Sequence, residues 1–214
     1  MAVVLLIAVG AAAQERYQNV IRPRRYEEAN KEMKVRPLAV LFGDSITDSW
    51  PKLSPDFFRL NNLVGRGISG ETTSDMLIRF QKDVVALRPK YVVILAGTND
   101  IAMNDGPISL EHILDNIISM CQIAKANRIK PILCSVLPAY LYRWRTELTP
   151  AEEIVELNEM IRAYAKSARI PYVDYHMQMK DERNGLQEDL GPDGVHPNLE
   201  GYRMMESILI DYLK

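Results

Sequence analysis

The stretch LAVLFGDSIT, residues 38–47, reads as a buried strand that runs straight into a polar turn. Its first five residues are apolar without alternation, the pattern of a strand covered on both faces, and such strands belong to parallel sheets. Four more segments repeat the theme: NLVG at 62–65, YVVIL at 91–95, PILCSV at 131–136 and YVDY at 172–175. Helical patterns separate them, at 73–87, 110–127 and 150–168, with another at 199–213 and a short one at 26–35 ahead of the first strand. The helix at 150–168 has a clear start, with Thr149 as N-cap, Pro150 at the first helical position and Glu152 and Glu153 in the first turn. Strand, helix, strand repeated in this way predicts an α/β fold, a parallel sheet of about five strands with helices on both faces.

A chain of 214 residues, 47% apolar and 25% charged, is long enough for one domain with a sizeable core. The formal net charge is -2 and the basic residues are scattered, apart from Arg22, Arg24 and Arg25. That distribution gives no electrostatic footprint for nucleic acid and suits small neutral substrates better than polyanions. The apolar run at 2–13 is too short to span a bilayer and ends in an A-x-A pattern, features of a secretory signal, although no Lys or Arg precedes it. The expected organisation is a signal-like segment at 1–13, an N-terminal extension at 14–36 and one domain at 37–214. The expected location is secreted or periplasmic, with a cytoplasmic protein as the alternative if 1–13 is an ordinary packing element. Cys121 and Cys134 fall in a predicted helix and a predicted buried strand, which makes them buried free thiols rather than a disulfide.

In sheets of this kind, chemistry gathers in the loops beyond the carboxyl ends of the strands. GDSIT (43–47), GRGISGETT (65–73) and AGTND (96–100) each follow a strand, and GPDGVHPN (191–198) precedes the last helix. These four stretches, in this order over residues 38–201, resemble the SGNH hydrolases, also called the GDSL esterase and lipase family, and its acylhydrolase branch. Ile46 stands where the family name expects leucine, a conservative change. The resemblance implies a flavodoxin-like three-layer α/β/α sandwich. It also implies Ser45 as nucleophile, Gly70 and Asn99 as oxyanion partners, and Asp193 with His196 as the rest of a triad.

The residue chemistry leads the same way. A serine hydroxyl attacks well only when a base takes its proton, usually an imidazole oriented by a carboxylate. Of three histidines, His112 sits in a helical pattern and suits a solvated or core-edge role. His176 follows the last strand without an acid partner in a motif and at most touches substrate. His196 alone has an aspartate, Asp193, three residues upstream in a loop that contains glycine and proline. Ser69 is the rival nucleophile, but Glu71 occupies the second glycine of the G-x-S-x-G elbow and no strand directly precedes it, so it suits a turn. Gly70 would let its N–H approach a developing charge, and the Asn99 amide would donate beside the Ser45 N–H to complete an oxyanion hole. Asp44 and Asp100 read as structural carboxylates that bind nearby N–H groups.

The expected reaction is ester hydrolysis through an acyl-serine, with no cofactor and no metal. A metal-dependent phosphoesterase using Asp44, Asn99, Asp193 and His196 is a competing class, as is a carbohydrate-binding relative without activity. The loop LPAYLYRWRTEL at 137–148 offers Tyr140, Tyr142, Arg143 and Trp144 as contacts for sugar faces and hydroxyls, and Trp50 is expected in the same wall. The alternative is a surface loop anchored by its aromatics. With no apolar lid in the sequence, short-chain esters of carbohydrates are the expected substrates, with lysophospholipid or acetyl-phospholipid hydrolysis as the alternative. The oligomeric state is not legible.

Overall fold

The computed structural model describes residues 24–214, so the signal-like segment 1–13 and the first part of the extension 14–36 lie outside the described residues. Five strands form one sheet: β1 (Ala39–Gly43), β2 (Leu63–Gly67), β3 (Tyr91–Leu95), β4 (Lys130–Cys134) and β5 (Tyr172–Val173). Their order is β2-β1-β3-β4-β5 and every pairing is parallel, the doubly wound arrangement whose crevice opens where the winding reverses, between β1 and β3. Each expected strand is present, β3 at the expected residues and the others displaced by one or two residues at one or both ends.

Helices α1 (Glu27–Glu32), α2 (Ser45–Leu53), α3 (Pro55–Leu60), α4 (Thr73–Asp83), α5 (Thr98–Ile101), α6 (Leu110–Ala126), α7 (Ala151–Ala168), α8 (Tyr175–Met179) and α9 (Leu199–Leu209) surround the sheet. Alternate side chains of β1 divide between two cores. Val40 and Phe42 pack with Met76 and Phe80 of α4, Ile117 of α6 and Leu157 of α7. Ala39 and Leu41 pack with Trp50 of α2, Phe58 of α3, and Tyr202 and Met205 of α9. That is the three-layer sandwich. Each fully buried side chain of this size is worth about 1.5–3 kcal/mol of transfer free energy. Cys121 lies in one core and Cys134 in the other, both free thiols. The sheet therefore separates them, and burial pushes the Cys121 thiol up to about 12.

Three local expectations are revised. Helix α7 begins at Ala151, with Pro150 rather than Thr149 at the cap position and no side-chain cap. The 43–47 stretch is a strand end followed at once by helix α2, so Ser45 opens a helix instead of tipping a loop. Trp50 faces the core, 2% exposed. It stacks on Tyr202 at 5.4 Å and donates from its indole N–H to Glu206 Oε1 at 2.9 Å, while Tyr202 donates to the Ile46 carbonyl at 2.7 Å. Its size and aromaticity go into clamping α2 onto α9, so it is not part of a substrate wall.

Helix α2 can begin where it does because β2 ends in glycine. A Cβ on Gly67 would stand 2.1 Å from the Asp48 nitrogen, 2.5 Å from the Thr47 carbonyl carbon and 2.6 Å from the Asp44 oxygen, all backbone atoms that cannot step aside. Gly106 has a positive φ of 96° but open space around its Cβ direction. Urea unfolding should therefore show Gly67→Ala losing ~3 kcal/mol or more through overpacking, against about 1 kcal/mol of backbone strain for Gly106→Ala. Equal losses would show that this close approach does not constrain α2.

Candidate active site

The strand ends deliver three loops to one edge. Gly43, Gly67 and Leu95 are in register, so the segments that follow them, containing Ser45, Gly70 and Asn99, leave the sheet at the same level. Asp44 turns the chain into α2, where its carboxylate accepts from the Ile46 N–H at 2.9 Å. Ser45 is thus the first residue of α2, and its own N–H is among the first-turn groups that have no acceptor within the helix. Burial pushes the Asp44 carboxyl up to about 6, against the pull of the Ile46 N–H and of His196.

Across the crevice, the loop at 191–196 brings a base and an acid together. His196 Nε2 lies 2.9 Å from Ser45 Oγ, and His196 Nδ1 lies 2.8 Å from Asp193 Oδ2. The other oxygen of Asp193 accepts from the N–H groups of Val195 at 2.9 Å and His196 at 2.7 Å. Desolvation opposes the charged form of Asp193, but these backbone donors and the imidazole outweigh it and hold the carboxyl below its ordinary range. One short loop therefore fixes both the orientation of the ring and the charge behind it.

Ser45, Ser49, Ser69, Gly70, Asn99, Asn104, Trp144 and His196 line one open cavity of about 460 Å³. Gly70 sits at φ 79°, a conformation that suits a residue without Cβ. The Asn99 amide is held at both ends: Nδ2 donates to the Glu71 carbonyl at 3.0 Å and Oδ1 accepts from Asn104 Nδ2 at 2.9 Å. One Nδ2 hydrogen remains beyond the Glu71 bond, since an amide nitrogen carries two. Next to it, Asp100 accepts from the Thr73 N–H at 2.9 Å and the Thr73 hydroxyl at 2.6 Å, which ties the loop after β3 to the start of α4. Burial pushes Asp100 up to about 6 in spite of these donors. Asp44 and Asp100 thus do the structural work expected of them.

The remaining expected residues separate. Trp144, 45% exposed, stands over the cavity with its ring centroid 6.3 Å from that of His196 and donates to Asn104 at 3.4 Å. Tyr142 is a correction: it is fully buried, its hydroxyl engages Thr98 Oγ1 at 2.9 Å and the Thr98 carbonyl at 3.1 Å, and it anchors the aromatic loop from beneath. Arg143 donates to the Pro192 carbonyl at 2.9 Å and so joins that loop to the histidine loop. With Tyr140, Arg183, Glu188 and Asp193 it also lines a second hollow, of about 280 Å³, on the outer side of the 191–196 loop. Ser69 donates to Asp48 at 3.1 Å, in keeping with a turn role. His176 is buried, its N–H bonded to Ser135 Oγ at 2.8 Å, and it does not line the Ser45 cavity. His112 is exposed on α6 beside Ser109. Asn104 went unread because nothing in its spacing distinguishes it from a turn asparagine. Among the described residues, no helix is long and apolar enough to cross a membrane.

A parallel sheet with a serine, histidine and aspartate in line at the switch point defines a hydrolase-type site. The profile of the GDSL-like lipase/acylhydrolase family matches residues 41–204. A GDSL-like lipase from Bacteroides thetaiotaomicron has the same architecture, with a TM-score of 0.87, 42% identity, and alignment over 92% of this chain and 98% of its own. Two further relatives are more distant. An acetylxylan esterase of Geobacillus stearothermophilus is 25% identical over 148 residues, 67% of this chain and 68% of its own length. The thioesterase 1/protease 1/lysophospholipase L1 of Escherichia coli K12 is 27% identical over 156 residues, 72% of this chain and 68% of its own. The chain belongs to the GDSL-like lipase/acylhydrolase family and is a carboxylic ester hydrolase. The activities named for those two relatives differ, so kinship leaves open the groups on either side of the ester bond.

The raised Asp44 has a measurable consequence. Its folded value of about 6 lies above the ordinary 3.8, so its contribution to stability is full below the ordinary value and is lost as pH rises through about 6. Asp44→Asn keeps an acceptor for the Ile46 N–H and removes the titration. Between pH 4 and pH 7 the unfolding free energy of this variant should gain on that of the parent by up to about 3 kcal/mol. A difference independent of pH would show that Asp44 does not titrate in this window.

Proposed function

We propose that the enzyme is a serine esterase for short acyl groups, above all acetyl groups carried by carbohydrate hydroxyls. The observation that carries this reading is the continuous chain from Ser45 Oγ to His196 to Asp193, at 2.9 and 2.8 Å, in a cavity also lined by Gly70 and Asn99. His196 takes the Ser45 proton as Oγ attacks the ester carbonyl, and Asp193 stabilises the imidazolium. The N–H groups of Ser45 and Gly70 and the Asn99 amide receive the negative charge that forms on the carbonyl oxygen. His196 then protonates the departing alcohol and, in the second half, activates the water that frees the acid.

The acyl preference follows from the walls. Apart from Trp144, the cavity around Ser45 is lined by serine, asparagine, glycine and histidine. Each methylene that leaves water is worth about 0.8 kcal/mol only where apolar surface receives it. A long acyl chain finds little such surface here. On the alcohol side, the exposed face of Trp144 and the outer hollow beside Asp193, with Tyr140, Arg143 and Arg183, provide the ring faces and hydrogen-bond donors that suit sugars. Export through the 1–13 segment would bring the enzyme to such polymers.

Ser45→Ala should abolish turnover of p-nitrophenyl acetate with little change in thermal midpoint, while Ser69→Ala keeps most activity. Asn99→Ala should lose about 100- to 1,000-fold in kcat with a much smaller change in KM. The opposite pattern for the two serines would overturn the assignment of the nucleophile. For the substrate, kcat/KM should fall from acetate to butyrate to octanoate, and acetate should be released faster from acetylated xylan than from an acetyl phospholipid. Preference for octanoate or longer would make this a lipase.

A further inference from the structure

Directly beneath the site, one cation is sealed inside the protein. The Arg79 side chain is fully buried and its guanidinium reaches four partners on separate segments. Nε donates to Glu71 Oε2 at 2.5 Å, Nη1 to the Arg66 carbonyl at 2.9 Å and to Asp83 Oδ2 at 3.1 Å, and Nη2 to the Gly43 carbonyl at 3.0 Å. Its Cζ also lies 4.2 Å from the centroid of the Phe42 ring. Burying a charge is costly unless it is paired and fully bonded, and breaking one side of such a pair typically costs several kcal/mol. Replacing a buried ion pair with well-packed apolar side chains of similar volume is often neutral for stability, so stability alone does not account for a charge here.

What distinguishes Arg79 is where its partners lead. Gly43 is two residues before Ser45, and its carbonyl also accepts from the Ile68 N–H at 3.1 Å, two residues before Gly70. Glu71 follows Gly70, and its own carbonyl is the acceptor that aims the Asn99 amide, at 3.0 Å. The guanidinium thus spans the turn that presents Ser45 and the loop that presents Gly70 and orients Asn99. We infer that Arg79, acting through Glu71, is a positioning residue: it sets the spacing between the nucleophile and the donors that stabilise the oxyanion. The inference rests on the oxyanion role proposed above for Gly70 and Asn99. A lysine, with one compact ammonium, cannot reproduce four bonds in a fixed plane.

The test exploits the two carboxylates on the same guanidinium. Glu71 leads to the site, whereas Asp83, the last residue of α4, leads away from it toward Asn30, whose amide it accepts at 2.8 Å. Glu71→Gln and Asp83→Asn each leave an acceptor in place and weaken Arg79, and both should lower the urea midpoint. Only Glu71→Gln, together with Arg79→Lys where it folds, should lower kcat, by about 10- to 100-fold with KM changed less than about twofold, since misplacement near 1 Å costs on this order. The loss should also shrink when Glu71→Gln is combined with Asn99→Ala, because one of the groups being positioned is gone. Equal kcat in Glu71→Gln and Asp83→Asn, or a Glu71→Gln loss that persists in full beside Asn99→Ala, would reduce Arg79 to a structural ion pair. Full activity in Asn99→Ala alone would overturn the oxyanion assignment and this inference with it. A full loss there with Glu71→Gln unaffected would overturn this inference only.

Discussion

Backbone hydrogen bonding across β2, β1 and β3 holds Gly43 level with Gly67 on one side and Leu95 on the other, so three loops leave the sheet at one height. The spacing of Ser45, Gly70 and Asn99 descends from that pairing. Slipping β1 by one residue against either neighbour would exchange the side chains of the two cores, Val40 and Phe42 for Ala39 and Leu41. Burial on both faces therefore protects the register, and the register carries the site. Packing and chemistry are connected here through a single geometric relation.

Below that edge lies a layer of buried polar groups: Asp44, Asp100, Glu71, Arg79 and Asp83, each at most 2% exposed. Such groups are tolerated when their partners are preset, and they then act at low dielectric, where a hydrogen bond is stronger and a misplaced one more costly. Most of the layer points its bonds at backbone where strands end and helices begin: Asp44 to Ile46, Asp100 to Thr73, Arg79 to Gly43 and Arg66. The loops that carry the chemistry are therefore short and tied down, and the rigidity of the sheet extends about one residue layer beyond its last strand bond.

The sheet, the four long helices and the switch-point site were legible in the sequence because uninterrupted apolar runs and 3.6-residue periodicity report burial directly. Helix α2 was not, since Pro51 lies within it and its first turn, Ser45 to Asp48, is written in residues that also make turns. The aromatic residues were harder still. Trp50 and Tyr142 carry polar atoms that suit a sugar as well as a core, and only the tertiary partners Glu206 and Thr98 show which use prevails. Trp144, of the same chemistry and two residues from Tyr142, does face the cavity. Arg79 was invisible because its i+4 pairing with Asp83 reads as an ordinary surface ion pair, and its other partners, Glu71 and the Gly43 and Arg66 carbonyls, lie outside the helix.

The histidine loop is a self-contained unit. Asp193 binds the backbone of Val195 and His196 with one oxygen and the imidazole with the other, so ring and acid are oriented by hydrogen bonds among a few consecutive residues. Ser45, Gly70 and Asn99 stand instead on segments that leave the carboxyl ends of β1, β2 and β3. In evolutionary terms this is a division of inheritance. On the function proposed above, changes of length between β5 and α9 would reshape the rim beside Asp193 without altering the segments that carry Ser45, Gly70 and Asn99.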